Sequence, residues 1–356
     1  MIRQAQGGGW VSRPARAAQK LVRREAATVA GIVPGRRDEV AMLVSREECI
    51  HALRCPRTKA KLHRVGDKFA PLDAAARGCA EYPIVGGVPI LIDFRSSVLR
   101  DARDRTHTES GVINRKGYGG IGARVKKLVS PPKKITRKNV VRLRDLLLRE
   151  MNPARLLMVG GGSIGQGMRP LYEDPSIQIY AFDIYASPNV QFVADAHQIP
   201  LPNEFFDAVV IQAVLEHVLQ PADVVAEVWR VLKPNGLIYA ETPFMQQVHE
   251  GAYDFTRFTE SGHRYLFRRF ERIHSGASAG PGTQFMWSVE FLVRGVFRSV
   301  TLGKLAKVAF FWAQYLDYFV PPRFAVDGAS GVFFLGRKSE NSLSPAEIVP
   351  HYQGAQ

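Results

Sequence analysis

Residues 155–165 read Arg-Leu-Leu-Met-Val-Gly-Gly-Gly-Ser-Ile-Gly, an apolar run that ends in a glycine turn. A short apolar run of this kind is typical of a strand that is buried on both faces. Glycines at its end permit a positive φ and let a ligand approach the backbone without a Cβ clash. The stretch therefore predicts a strand, a tight turn and a ligand site at the carboxyl end of that strand.

Short strands and helices alternate downstream of this turn. Apolar strand candidates lie at 178–182, 190–194, 207–212, 237–241 and 331–336. The clearest helix, predicted over 223–232, stops at Lys-Pro-Asn-Gly, because proline cannot continue a helix and glycine accepts the left-handed turn that follows it. Alternation of buried strands with helices indicates an α/β fold whose parallel sheet carries helices on both faces.

The glycine turn alone does not identify the ligand. Gly160-x-Gly162-x-x-Gly165 also fits the dinucleotide fingerprint, whose glycines cradle a pyrophosphate. Asp183 ends the second predicted strand, where its carboxylate can accept both ribose hydroxyls of an adenosine. An NAD(P)-dependent oxidoreductase therefore stays open as an alternative at this point, although the chain has no recognisable Tyr-x-x-x-Lys pair.

The segments that follow are more specific than the turn. Asp195-Ala196 ends the third strand, Phe206-Asp207 opens the fourth, Leu215-Glu216-His217 follows it, and Arg-Val-Leu-Lys-Pro-Asn-Gly occupies 230–236. In this order and spacing, residues 153–245 resemble class I methyltransferases of the type 11 group, which use S-adenosylmethionine (SAM). The resemblance implies a methyl-transferring enzyme and a Rossmann-like, seven-stranded, mostly parallel sheet over 138–338.

The resemblance also implies which residues contact the cofactor. The glycine turn would lie against the methionine moiety and ribose, Asp183 would hold the ribose, and Asp195-Ala196 would contact the adenine. The full set of expected cofactor contacts is Gly160, Gly161, Gly162, Asp183, Ile184, Asp195, Ala196, Gln212, Glu216 and His217. Two positions depart from the family: Met158 stands where an acidic residue is usual, and Ile164 where a third glycine is usual.

Candidate acceptor-side residues cluster after the fifth predicted strand. A sulfonium is an activated donor, so the protein mainly positions the nucleophile, and a base is needed only for an acceptor proton of high pKa. We predict His249 and Asp254 as catalytic, with His249 as the base or acceptor contact. The alternative is that His249, Asp254 and Arg257 form a hydrogen-bonded loop that holds Phe255 and Phe258 in the core. The acceptor, whether a small molecule, a lipid-linked compound or a saccharide, is left open.

A small unit is predicted at 43–95. Its Cys-Pro-Arg-Thr-Lys at 55–59 and Tyr-Pro-Ile-Val-Gly-Gly-Val-Pro at 82–89 resemble a small α+β, zinc-ribbon-like family that includes methyltransferase activator proteins. The metal-binding form of that family has two cysteine pairs, whereas Thr58 replaces one ligand here and Cys79 stands alone. The three cysteines of the chain cannot complete a four-cysteine site at these spacings, so no metal is predicted.

The basic charge of the chain lies at its front. Residues 1–150 hold 32 Lys and Arg against 14 Asp and Glu, a net charge of +18, while the whole chain carries +15. A basic front can bind RNA or another acidic partner, which makes a degenerate SAM-binding or RNA-binding module the non-enzymatic alternative. Residues 1–42 are predicted as a disordered basic leader, 96–137 as a linker and 339–356 as a disordered tail.

An apolar helical insertion is predicted at 282–326, between the last two strands. Its aromatic and aliphatic residues at 285–320 could cover an acceptor pocket, pair with another subunit or lie on a membrane surface. No segment approaches the roughly 20 apolar residues that span a bilayer. Three cysteines are too few for a disulfide framework and suit a reducing compartment. We therefore expect a cytoplasmic protein in which the insertion forms a lid and packs on the core, with peripheral membrane contact through 285–320 as the alternative.

Overall fold

One mixed sheet organises the residues that the structure, a computed structural model, describes: 43–73, 78–99 and 134–356. Its strands in chain order are β1 (Leu62–Val65), β2 (Lys68–Pro71), β3 (Tyr82–Val85), β4 (Val88–Leu91), β5 (Ala154–Val159), β6 (Ile177–Asp183), β7 (Phe192–Ala194), β8 (Phe206–Gln212), β9 (Leu232–Pro243), β10 (Phe270–Ala279) and β11 (Gly331–Lys338). Their spatial order is β1-β2-β3-β4-β7-β6-β5-β8-β9-β11-β10.

In the described part of the chain, α-helices lie in five of the ten connections between these strands. The α-helices of that part are α1 (Arg46–Ile50), α2 (Lys134–Glu150), α3 (Arg169–Tyr172), α4 (Pro221–Val231), α5 (Glu260–Leu266), α6 (Pro281–Val296), α7 (Val300–Ala309), α8 (Pro322–Asp327) and α9 (Pro345–Ile348). α4 begins at Pro221, whose fixed φ suits the first turn of a helix. Its buried side carries Val224, Val225, Val228 and Val231. These valines recur about once per turn and form the apolar stripe that packs on the rest of the fold.

The predicted seven-stranded α/β sheet is confirmed as β7-β6-β5-β8-β9-β11-β10. Neighbouring strands from β7 to β9 run parallel, and β11 lies antiparallel between β9 and β10. β5 and β8 are buried along nearly their whole length, as their apolar runs indicated. In an open parallel sheet, ligands bind outside the carboxyl ends of the strands. The segments after β5, β6 and β8 therefore meet at the edge where a ligand is expected.

The residues predicted as a separate unit at 43–95 continue this sheet instead. β4 pairs in parallel with β7, with Ile90 opposite Val193. All four residues of β4 are buried, and Phe69 of β2 belongs to the same hydrophobic core as Leu157 of β5. Strands of four residues bury too little apolar surface to be stable alone, so these strands complete their core on the larger sheet. The zinc-ribbon-like resemblance stays a prediction.

The last residues pack against the fold, which differs from the predicted disordered tail at 339–356. α9 starts with a capping box at Ser344. His351 Nε2 lies 3.0 Å from a carboxylate oxygen of buried Glu260, 91 residues earlier. Tyr352 Oη donates to Asp327 at 2.6 Å. Contacts at such sequence separation leave no local pattern, which is why the composition of the tail did not reveal them.

The predicted insertion consists of α6, α7, a 3₁₀ segment (Phe311–Tyr318) and α8. Many of its apolar side chains face outwards: Leu292 and Val296 are each 66% exposed and Phe319 is 82% exposed. No helix in the described part of the chain is long and apolar enough to cross a membrane. The predicted leader, its RNA-binding role and most of the predicted linker lie outside the described residues.

Candidate cofactor and acceptor site

The glycine turn that follows β5 is hydrogen-bonded to the end of β6. The N–H groups of Gly160 and Gly161 donate to the carbonyl of Phe182 at 3.1 and 2.9 Å. Gly160 has a φ of +77°, which costs a residue with a Cβ about 1–2 kcal/mol. The Gly162 N–H donates to Asp183 Oδ2 at 2.8 Å. The turn and the carboxylate predicted to hold a ribose therefore form one hydrogen-bonded unit.

Side chains crowd this turn so closely that a Cβ does not fit. A Cβ at Gly160 would lie 2.3 Å from Val214 Cγ2, and one at Gly165 would lie 2.0 Å from Gln212 Oε1. Glycine at these positions leaves bare backbone at the cavity wall. Bare backbone is what allows a cofactor to lie directly on a turn.

Asp195 organises the predicted adenine contact. It caps the 3₁₀ turn Ala196–Gln198 and accepts the N–H of His197 at 3.0 Å. His197 Nδ1 lies 2.6 Å from the same oxygen, and Ser97 Oγ donates to the other one. Burial opposes ionisation, but these hydrogen bonds outweigh it and lower the pKa of Asp195. The carboxylate stays ionised, and Oδ2, whose donor in the described part of the chain is the Ser97 hydroxyl, retains a second lone pair for a ligand.

Half-buried Gln212 and buried Glu241 form a polar pair near the ends of β8 and β9. Gln212 Nε2 donates to Glu241 Oε2 at 2.8 Å. Glu241 also accepts from Thr136 Oγ1 at 2.6 Å and from Tyr239 Oη at 2.5 Å. Burial and the neighbouring carboxylate raise the pKa of Tyr239, so its hydroxyl stays protonated. Among the residues described, the donors to Glu241 are neutral, and it faces the cavity without a cation beside it.

Glu216, His217 and His249 meet beyond the carboxyl ends of β8 and β9. Glu216 Oε1 lies 3.7 Å from His217 Nε2 and 3.9 Å from His249 Nε2. The two imidazole rings meet edge to face with centroids 4.9 Å apart. Burial lowers the pKa of both histidines, which favours neutral rings. We predicted the first two residues for the cofactor and His249 for the acceptor; the structure places all three in one cluster.

A second layer of groups orients the two rings. His217 Nδ1 lies 2.8 Å from the carbonyl oxygen of Tyr253, and His249 Nδ1 lies 3.3 Å from Asp254 Oδ2. Burial of Asp254 is outweighed by its bidentate pairing with Arg257, and its pKa falls to about 2. The hydrogen-bonded loop that we considered as an alternative is thus present. Phe255, which that alternative placed in the core, is 39% exposed.

A cavity of about 710 Å³ opens at this edge of the sheet, within the roughly 300–1,000 Å³ typical of ligand sites. The predicted cofactor residues that line it are Gly160, Gly162, Asp183, Ile184, Asp195, Ala196, Gln212, Glu216 and His217. Gly161 instead faces Ala181 beneath the turn. Of the predicted catalytic residues, His249 lines the cavity, and Asp254 lies behind it and accepts its main-chain N–H at 2.9 Å.

Several cavity residues were missed by sequence reasoning. Val98 and Leu99 come from the predicted linker, and Thr283 and Trp287 come from α6 of the insertion. Only long-range packing brings Val98 and Leu99 to the site, so no local signal could have found them, whereas the insertion that carries Trp287 was among the segments that could cover an acceptor pocket. Glu241 did have a signal, because it is an acidic residue at the end of a buried apolar strand.

Comparison with known proteins identifies the central part of the chain. Residues 157–240 match a family described as the methyltransferase domain. This segment is a class I SAM-dependent methyltransferase domain. A stretch of 74 residues is 39% identical to the ubiquinone/menaquinone biosynthesis C-methyltransferase UbiE of Stutzerimonas stutzeri. That match covers 20% of this chain and 29% of the relative, so the chain spans less than a third of the length of this relative.

The methyltransferase domain also has likenesses among solved structures. One is the 1,6-didemethyltoxoflavin-N1-methyltransferase of Burkholderia thailandensis, solved with 1,6-didemethyltoxoflavin and S-adenosylhomocysteine. The sequence identity is 15%, the match covers 58% of this chain and 80% of that chain, and the TM-score is 0.36. Another is phosphoethanolamine N-methyltransferase 2 of Haemonchus contortus with SAM, with 17% identity, coverages of 64% and 59%, and a TM-score of 0.37. At these scores, the acceptor has to be argued from the site itself.

Proposed function

We propose that the protein transfers the methyl group of SAM to a small-molecule, lipid-linked or saccharide acceptor bound in the cavity. The charge of the cavity wall is the observation that carries this proposal. The described lining of the cavity contains neither Lys nor Arg. Its five carboxylates are those of Asp183, Asp195, Glu216, Glu241 and Glu250. Such a wall attracts a sulfonium and an ammonium group and repels the pyrophosphate of a dinucleotide. The same charge disfavours RNA in this cavity.

The residues present fit SAM at four points. The bare backbone of the turn accepts a ligand that a Cβ would exclude. Asp183 offers ribose hydroxyls an acceptor, and Asp195 offers one to the amino group of adenine. Met158 cannot act as a hydrogen-bond acceptor as the usual acidic residue would. Glu241 lines the same cavity and supplies a carboxylate in its place. SAM supplies the activated methyl group when it is bound.

The rest of the chemistry is positioning. Holding the acceptor in line with the sulfonium and excluding water are the main tasks of the protein. We place the acceptor beside His217 and His249, which line the cavity after β8 and β9. Trp287 of α6 forms part of the same wall. Lys307 of α7 braces it, with Nζ 3.5 Å from the ring centroid of the indole.

Calorimetric titration with SAM, S-adenosylhomocysteine and NAD tests this proposal. We expect micromolar binding of S-adenosylhomocysteine by the full chain and none in Asp183→Ala. Asp145→Ala, which removes an exposed carboxylate of α2, is the matched control and should bind as the wild type does. Binding of NAD in place of S-adenosylhomocysteine would refute the proposal. A screen with labelled methyl donor then identifies the acceptor.

We also propose that the insertion docks on an anionic membrane surface, where a lipid-linked acceptor would be presented. Its exposed apolar side chains include Leu292, Val296 and Leu305, of which the last is 59% exposed. The cations Arg294 and Arg298 are exposed beside them. Protruding apolar residues surrounded by basic ones are typical of proteins that lie on anionic lipid.

Vesicle flotation tests this docking. Binding is expected to vesicles of phosphatidylcholine with phosphatidylglycerol and to be weaker for phosphatidylcholine alone. Leu292→Glu with Leu305→Glu should abolish it, whereas Leu72→Glu, at an equally exposed leucine outside the insertion, should not. A concentration-dependent dimer in size-exclusion chromatography that the double variant disrupts, without vesicle binding, would show that a second copy covers this face instead.

A further inference from the structure

The cluster of Glu216, His217 and His249 has the geometry of a metal-ion site. One ligand atom from each residue can be chosen so that all lie within 4.8 Å of one another. The two shortest separations, 3.7 and 3.9 Å, join Glu216 Oε1 to the two Nε2 atoms. Metal–ligand bonds of about 2.0–2.2 Å place neighbouring ligand atoms about 3–3.5 Å apart. With the third separation at most 4.8 Å, side-chain shifts of up to about 1 Å bring these atoms to bonding positions.

We propose that these three side chains bind a divalent transition-metal cation, with Zn²⁺ as the ion tested, and that the cation holds a hydroxyl group of the methyl acceptor. Imidazole nitrogens suit Zn²⁺ and its neighbours in the transition series. Two histidines and one glutamate leave a coordination position open for a substrate oxygen, as catalytic zinc sites do. The substrate class rests on the proposed methyl transfer, whereas binding of the cation does not.

The surroundings of the two histidines support this assignment. A metal-ligating histidine generally donates its other ring N–H to a carbonyl or carboxylate, which fixes the tautomer. His217 Nδ1 has the Tyr253 carbonyl at 2.8 Å, and His249 Nδ1 has Asp254 Oδ2 at 3.3 Å. The Tyr253 carbonyl leaves Nε2 of His217 as its lone-pair atom, Asp254 lies on the Nδ1 side of His249, and in both rings Nε2 is the atom near Glu216.

Two loops are tied together so that the cluster is formed before a ligand arrives. The main-chain carbonyl of Glu216 accepts the N–H of Phe255 at 2.8 Å and that of Thr256 at 3.3 Å. The segment after β8 is thereby fastened to the segment after β9 that carries His249. A site whose ligands are already in place binds an ion without the entropic cost of ordering two loops.

The local charge also favours a dication. Arg257 binds both oxygens of Asp254 and neutralises that carboxylate. Glu216 is 1% exposed and contributes a negative charge at the centre of the cluster. The described lining of the cavity contains no Lys or Arg that would repel a cation. The cluster therefore presents one buried negative charge and two imidazole lone pairs to the same point.

The cation would change how the acceptor is activated. The hydroxyl oxygen of the acceptor binds to the cation, which lowers the pKa of that hydroxyl, and the proton passes to solvent water. A lone pair of the oxygen then forms the O–CH₃ bond while the C–S bond of the sulfonium breaks. The electrons of the C–S bond remain on sulfur, so an alkoxide and a sulfonium become an ether and a thioether. In this scheme, His249 is a ligand and not a general base.

Zn²⁺ titration of the full chain, after dialysis against a chelator, tests the site directly. One tight site is expected in the wild type, with at least 100-fold weaker binding in His217→Gln and in His249→Gln. His63→Gln, which removes an exposed histidine of β1, should bind as the wild type does. The visible spectrum of the Co²⁺-loaded protein should show d–d bands that both cluster variants lose. Unchanged circular dichroism spectra and thermal unfolding show that these variants are folded.

Each outcome distinguishes this inference from the proposed function. Wild-type Zn²⁺ affinity in both cluster variants, or binding of S-adenosylhomocysteine without binding of Zn²⁺, overturns the metal site and leaves methyl transfer standing. Binding of Zn²⁺ without S-adenosylhomocysteine overturns the proposed function and with it the acceptor class. Once an acceptor is known, the chelator should abolish transfer and Zn²⁺ should restore it. Transfer that is unaffected by the chelator would return His249 to the role of base.

Discussion

Replacing Gly162 by alanine changes the cofactor cradle with little disturbance to the fold. The φ of Gly162 lies outside the left-handed region, so alanine can adopt the same backbone. The added Cβ would lie 2.6 Å from Asp183 Oδ2 and 2.5 Å from Tyr185 Oη. Both atoms are at the ends of side chains, which can move while the turn keeps its shape. The atom that moves is therefore the carboxylate proposed to hold the ribose.

The size of the effect follows from the hydrogen bond that this movement costs. A hydrogen bond to a charged group contributes about 1.5–3 kcal/mol. Its loss would weaken the binding of the cofactor roughly 10- to 150-fold. Calorimetry with S-adenosylhomocysteine measures the affinity, and thermal unfolding checks the fold. Gly295→Ala, in α6 with nothing within 4 Å of the added Cβ, is the control. Unchanged affinity in Gly162→Ala would refute the assignment of Asp183 to the ribose.

Three further changes test other parts of the structure. Glu241→Gln removes the charge of a buried carboxylate and should weaken the binding of SAM about tenfold, or 1.4 kcal/mol. The binding of S-adenosylhomocysteine should weaken less, because this compound lacks the sulfonium. Equal losses of affinity for the two compounds in calorimetry would contradict this. Burial lowers the pKa of His263 to about 3. The unfolded chain binds that proton near pH 6.5, so stability should fall by about 2 kcal/mol from pH 7 to pH 5. Urea titrations of His263→Gln should lack that decrease. Asp317→Ala leaves three N–H groups at the start of α6 without their acceptor and should cost about 2–4 kcal/mol, measured by thermal unfolding against Asp317→Asn.

Local patterns predicted the parallel strands because each is a short run buried on both faces. β5 and β8 are such runs, and the structure extends them by only one residue. The helix stop at 233–236 was also predicted, yet β9 already begins at Leu232. The left-handed residue of that stretch is Asn235, with a φ of +62°, and not Gly236. Propensity marks the turn, while the pairing of β9 with β8 decides which residue adopts the unusual φ.

The cofactor half of the site was predictable because its residues follow strand ends. Asp183 and Asp195 end predicted strands, and in a parallel sheet all such ends share one edge. The acceptor half was predicted only as separate residues. Glu216 and His249 are 33 positions apart, and their sequence contexts suggested different roles. The hydrogen bonds between their loops bring them within 3.9 Å, which no local pattern encodes.

The sequence by itself determined the strand with its glycine turn and the carboxylate at the end of β6. Strand burial, glycine conformation and helix termination depend on neighbours within a few residues. Only the tertiary structure decided that the front strands join the main sheet and that α6 lines the cavity. It also decided that Glu216, His217 and His249 form one cluster. Those features depend on contacts between residues far apart in the chain, whose positions are set by packing and not by local propensity.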